Sequence, residues 1–162
     1  MVKLDKKYLI FLVKFFAIFL FLEFFVFGTN LTFLQEFIAK TQADFLGLRY
    51  VNNLIFVSDG IFEIVPECTG IVSASILASI IFSMKKPEMK KKFFIFGLGF
   101  VLLFIVNYLR VLSIIWVGME FGIENAELLH ITSWFVSSGL VLGLWYYFTK
   151  RITGEKNLSG FL

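Results

Sequence analysis

The chain has one cysteine and one histidine in 162 residues. A single thiol excludes an intramolecular disulfide and any Cys-x-x-Cys redox or zinc motif. With one imidazole beside it, a Cys/His metal cage lacks ligands, and neither a metal nor a cofactor is expected. A thiol-based redox cycle is disfavoured as well, because there is no resolving thiol. Charge is scarce, at 17% of residues, and the net charge of +3 gives no argument for nucleic acid, because its positive residues flank apolar runs. What the chain has in quantity is apolar bulk. Hydrophobic residues make up 59%, with 23 phenylalanines, and the mean hydropathy is +0.87. A soluble domain of this size would not be so apolar. The expectation is a single integral membrane domain over residues 1–162.

The basic residues set its topology. Lys3, Lys6 and Lys7 precede an apolar run over residues 8–27. About twenty residues at a helical rise of ~1.5 Å cross a ~30 Å hydrocarbon core. The run is longer than a signal-peptide core and no small-residue cleavage site follows it, so it reads as retained. Lys14 lies close enough to the inner end to snorkel, and Glu23 lies near the outer end. Further spans are predicted over about 67–84, 93–118 and 130–149, with residues 28–66 outside. Lys85, Lys86, Lys90, Lys91 and Lys92 crowd one short loop and place it in the cytoplasm. Lys150, Arg151 and Lys156 do the same for the C-terminal end, behind an inner aromatic belt of Trp145, Tyr146 and Tyr147. The loop with Glu120, Glu124 and Glu127 carries no Lys or Arg and falls outside. The fold class expected is an all-α membrane protein: a bundle of four transmembrane helices in the cell membrane, both termini cytoplasmic.

The outer segment has its own pattern. Leu34, Phe37, Ile38, Phe45 and Leu46 recur at helical spacing, and Thr32 with Gln35 fits a capping box. This predicts an amphipathic helix, lying either on the membrane surface or over the bundle. Asn30-Leu31-Thr32 matches a glycosylation sequon but abuts the bilayer. The β-rich runs 54–57 and 61–65 flank Ser58-Asp59-Gly60 and predict a β-hairpin before the second span. It either offers an edge to an extended peptide or plugs the bundle mouth. In the second span, Gly70, Ala74 and Ala78 form one small-residue stripe and Ser75, Ser79 and Ser83 another, both read as packing surfaces.

Three residue types remain to be explained. Cys68 sits in Pro66-Glu67-Cys68-Thr69-Gly70, where the hairpin ends and an apolar helix begins. Proline favours the first helical turn, and unpaired N–H groups there lower a thiol pKa, while Glu67 opposes this. The plain alternative is a buried cysteine acting as a small hydrophobe. Asn107 and Arg110 lie three residues apart on one face of the third span. An arginine inside a membrane helix costs at least ~2.5 kcal/mol on insertion scales. It faces a wet interior, snorkels outward, or pairs with Glu23. His130 opens the last span, with Trp134 one turn ahead and Glu127 one turn behind to orient the ring. The plain alternative is an interfacial histidine without a task.

Topology puts all three on the outer side, from three different helices. A thiol, an imidazole and a guanidinium suffice for acyl transfer at a peptide bond. Cys68 would attack, His130 would move the proton, and Arg110 would stabilise the oxyanion or the thiolate. Asn107 would hold the guanidinium or donate a second hydrogen bond.

Glu67-Cys68-Thr69-Gly70, then Asn107-Tyr108-Leu109-Arg110, then His130 at the next helix start, resembles the exosortase/archaeosortase family over about residues 60–148. The resemblance implies a membrane cysteine transpeptidase or protease. Its partners would be surface proteins with C-terminal sorting tails, cleaved through a thioester and passed to an anchor, with a membrane lipid as candidate acceptor. Carried over by position, Cys68 would be the nucleophile and Arg110 and His130 its catalytic partners, with Asn107, Glu67, Thr69, Gly70 and Trp134 supporting. The chain departs from the family in two ways: many members have more spans than four, and histidine at the third position follows the bacterial branch, where the archaeal branch has arginine. Two rivals stand beside this reading: an enzyme that takes an acyl chain from a lipid onto Cys68, and a non-enzymatic membrane chaperone or complex subunit.

Overall fold

The computed structural model describes residues 6–29 and 31–154. Asn30 of the sequon, together with Lys3 and Lys156 of the charge pattern, lies outside the described residues. In chain order the elements are α1 (Lys6–Gly28), α2 (Thr32–Leu46), β1 (Arg49–Val51), β2 (Leu54–Val57), β3 (Gly60–Glu63), a 3-10 turn (Pro66–Thr69), α3 (Ile71–Ser83), α4 (Met89–Phe121) and α5 (Ile123–Thr153).

Three of the described helices, α1, α4 and α5, are long and apolar enough to cross a membrane. The predicted second span is α3, which has only 13 residues. At ~1.5 Å per residue that is about 20 Å, short of a hydrocarbon core. Both of its ends have a local cause. Gly70 takes φ +83° and separates the 66–69 turn from the helix. At the other end Met84 leaves helical geometry. The buried Lys92 donates its Nζ to the Met84 carbonyl, and Trp145 Nε1 lies 3.2 Å from Met84 Sδ. A lysine at a helix C-terminus satisfies a carbonyl the helix leaves open. Lys92 therefore belongs to the bundle and not to the lysine loop assigned from the sequence.

The expected loop around Glu120, Glu124 and Glu127 is helical. α4 runs on to Phe121, and the chain reverses at Gly122, φ +87°, straight into α5. Glu124 falls in the first turn of α5, where negative charge favours a helix start. The last two spans are accordingly longer than the 93–118 and 130–149 read from hydropathy.

The predicted hairpin is present, and a third strand extends it. The order is β1-β2-β3, antiparallel throughout, with Val51 opposite Leu54 and Val57 opposite Gly60. The β1–β2 reversal passes through Asn52 at φ 55°, a left-handed conformation asparagine tolerates. The domain is thus mostly helical with a small sheet, where an all-α bundle with one hairpin was expected.

Helix α2 forms as expected, but its cap does not. Its N-cap is Leu31, with no side-chain cap, and Gln35 donates instead to the Ile64 carbonyl at 2.9 Å. Both readings of α2 have a share. Ile38, Ala39 and Ala43 are buried in one core with Ile55, Ile64, Cys68, Val111 and Ile115. Away from that core, Phe33 and Phe45 are 82% and 75% exposed. A second core, nearer the lysine loop, joins Leu77, Ile81, Ile95, Leu103 and Val141. The two small-residue stripes are packing surfaces: Ala74, Ser75, Ala78, Ser79 and Ser83 are all buried, and α3 packs against α1, α4 and α5.

Candidate functional site

Cys68 sits in the turn between β3 and α3, and each neighbour in its motif has a local task. Pro66 starts the turn. The Thr69 hydroxyl donates to the Pro66 carbonyl at 2.6 Å and accepts from the Ile71 N–H at 3.4 Å, so it closes the turn and caps α3. Gly70 meets two demands together. Its φ of +83° suits a residue without a Cβ, and a Cβ there would stand 3.2 Å from Asn107 Cβ and 3.3 Å from its Nδ2. Glycine thus lets α4 approach the turn. Gly70→Ala should cost about 1–2 kcal/mol from the backbone alone. It should also push Asn107 away, so activity should fall further than in a variant of equal melting temperature altered outside the turn.

That approach brings Asn107 onto the Cys68 main chain. Asn107 Nδ2 donates to the Cys68 carbonyl at 2.5 Å, and its Oδ1 accepts from Arg110 Nη1 at 3.0 Å. The i,i+3 spacing read from the sequence is what lets one amide bridge the two. Arg110 Nε and Nη2 are buried and have no protein partner. The guanidinium carbon lies 5.2 Å from the centre of the Trp134 ring, and His130 stacks on the same ring at 6.2 Å with 13° between planes. One chain of contacts therefore runs from Cys68 through Asn107, Arg110 and Trp134 to His130, drawing on the turn, α4 and α5.

The family model described as Transmembrane exosortase (Exosortase_EpsH) matches residues 5–147. The chain belongs to that family. It is also 37% identical over 119 residues to a protein described as "Probable archaeosortase E" from Methanocaldococcus jannaschii, covering 69% of this chain and 62% of that protein. The chain thus spans less than two thirds of that relative's length. No solved structure matches it.

In this exosortase, several sequence expectations take a different form. His130 has no hydrogen bond to Cys68, and Glu127 acts on the imidazole through space without bonding to it. Arg110 gives its Nη1 to Asn107 and not to Glu23, whose Oε1 is buried without a hydrogen-bond partner. Cys68 lies one turn ahead of α3, not in its first turn, and its own N–H donates to the Val65 carbonyl at 2.9 Å. Burial pushes its thiol above the ordinary range. The Val65 backbone and the Arg110 charge pull it back, and Glu67 adds to the rise. The low thiol pKa expected from a helix start is therefore not the resting state. Desolvation outweighs the dipole because Cys68 is only 6% exposed.

Beside Arg110 a cavity of about 370 Å³ opens between α4 and α5, lined by Val106, Ser113, Leu129, Ser133, Val136 and Leu140 among others. The Ser113 and Ser133 hydroxyls bond to carbonyls of their own helices, so the lining is apolar in effect. Two residues near the site were not read from the sequence as such. Gln42 is fully buried and donates to the Tyr108 carbonyl at 3.0 Å, between Asn107 and Arg110. Gln35 holds Ile64, close ahead of Cys68. The signal was available as two glutamines seven residues apart on the apolar face of α2.

Proposed function

We propose that this exosortase is a membrane-embedded cysteine protease or transpeptidase. It cleaves the C-terminal sorting tails of surface proteins through a thioester on Cys68 and passes them to an acceptor. All four apolar helices sit in the membrane, both termini face the cytoplasm, and the site opens at the outer face. The observation that carries the reading is the bare fork of Arg110: two buried N–H groups without a protein partner, on a guanidinium that Asn107 ties to the Cys68 turn. Buried donors are ordinarily satisfied, and these two nitrogens are left by the protein to bond a substrate oxygen.

The chemistry follows from these groups. His130 removes the Cys68 proton as the sulfur attacks the scissile carbonyl. The thiol and imidazole meet once substrate bridges them, since catalytic contacts commonly tighten only in the complex. The tetrahedral oxyanion accepts hydrogen bonds from Arg110 Nε and Nη2. Its collapse breaks the C–N bond, and His130 returns the proton to the departing amine. The acyl group remains on sulfur as a thioester. Water, an amine or a lipid hydroxyl then attacks it and gives its proton to His130, and His130 passes that proton to the departing Cys68 sulfur, which restores the thiol.

The test is capture of the intermediate. The full chain in lipid vesicles is mixed with tailed surface proteins of its host and quenched in acid, and the Cys68 peptide is weighed. A hydroxylamine-sensitive adduct carrying the N-terminal part of a tailed protein is the expected result. A fatty acyl adduct would establish the lipid acyl-transfer rival. An unmodified thiol despite a cleaved tail would overturn the thioester.

A further inference from the structure

Helix α2 touches both halves of the site through two side chains. Gln35 Nε2 donates to the Ile64 carbonyl, which leads into the Cys68 turn, at 2.9 Å. Gln42 Nε2 donates to the Tyr108 carbonyl, on the α4 turn that carries Asn107 and Arg110, at 3.0 Å. Seven residues are two helical turns, so both amides project from one face. Tyr108 returns a second tie, its hydroxyl donating to Thr41 Oγ1 at 2.9 Å. With the Asn107 bond to the Cys68 carbonyl, the contacts close a ring: Cys68 turn, Gln35, α2, Gln42, α4, Asn107, Cys68.

Stability alone does not account for Gln42. It is 0% exposed among Ile38, Ala39 and Ala43, and its Oε1 is buried without a partner. A half-satisfied amide in an apolar interface is worse than a hydrocarbon side chain of the same size. What a methionine or leucine would lack there is the N–H that fixes α4 about its own axis. Phe33 and Phe45 are exposed away from that core, and the two glutamines sit on the buried, apolar face where this task lies.

We propose that Gln35 and Gln42 are positioning residues that set the spacing between the Cys68 turn and the Arg110 guanidinium, so that α2 works as a clamp on the reactive pair. This rests on the cysteine-enzyme reading above.

The experiment is the alkylation rate of Cys68 against pH, by a small thiol reagent, on the full chain in lipid vesicles. Arg110 is the positive charge acting on the thiol. Arg110→Ala should therefore shift the profile to higher pH. Gln42→Met keeps the volume and removes the donor. It should shift the profile the same way, lowering the rate at neutral pH by at least about twofold, the lower edge of coupling within one hydrogen-bond network. Gln35→Met should act likewise, and Gln42→Met should add nothing in an Arg110→Ala background. A purely structural glutamine would lower the melting temperature and leave the profile in place, which overturns the clamp. Gln35→Met decides the matter if Gln42→Met does not fold. If Arg110→Ala itself leaves the profile unmoved, the reading of the site fails, and the clamp fails with it.

Discussion

Replacing Cys68 with alanine is expected to reduce tail cleavage by at least about 10⁴-fold, the scale on which enzymes lose turnover when a covalent nucleophile is removed. The fold should survive. Cys68 is hydrogen-bonded through its main chain, the N–H to Val65 and the carbonyl from Asn107, and alanine keeps both. The loss would then be chemical, and a wild-type melting temperature beside an uncut tail on a gel would show it. The same thiol carries a pH prediction. Burial and Glu67 hold it above its ordinary value against the pull of the Val65 backbone and Arg110. At neutral pH the thiolate fraction is therefore smaller than for a free cysteine. Alkylation of the resting enzyme should keep rising with pH through and beyond ~8.5. Glu67→Gln removes a negative charge, favours the thiolate, and should move the curve to lower pH. A rate already level at neutral pH would show that the helix-start effect dominates after all. Serine at position 68 should be as inactive as alanine, because a hydroxyl is a weaker nucleophile in so dry a turn.

Much of this arrangement was legible because it depends on local chemistry. Proline ahead of an apolar run marked the onset of helical geometry at Pro66, although as a 3-10 turn separate from α3, Asp59-Gly60 gave a reversal between β2 and β3, and the Asn107–Arg110 spacing put both side chains on one helix face. What escaped depends on contacts distant in sequence. Strand β1 is three exposed residues and exists because β2 offers it an edge. The second span is cut short where Gly70 turns and where Lys92, eight residues beyond Met84, folds back to take its carbonyl. Gln35 looked like half of a capping box because its true partner, Ile64, is 29 residues away. The thiol was misjudged for a related reason. A helix start is visible in sequence, whereas desolvation by Ile38, Ile55, Val111 and Ile115 is not.

Arg110→Lys is expected to lower kcat by about 10²–10³-fold with little change in KM, the effect of losing an oxyanion donor. Charge is kept in this variant and geometry is lost. The guanidinium is a rigid fork that gives Nη1 to Asn107 and still presents Nε and Nη2 side by side. An ammonium is a single point on a flexible stem, so it cannot hold Asn107 and offer two aligned donors. Its weaker stacking over Trp134 also loosens the link to His130. The variant separates this role from the plainer ones. Lysine snorkels as well as arginine and carries the same charge. If Arg110 only anchored α4 at the membrane surface or supplied a diffuse field, Arg110→Lys would stay near full activity. Near-wild-type turnover would therefore remove the oxyanion role. A large loss at unchanged melting temperature would tie it to the two N–H groups that no residue of the protein occupies.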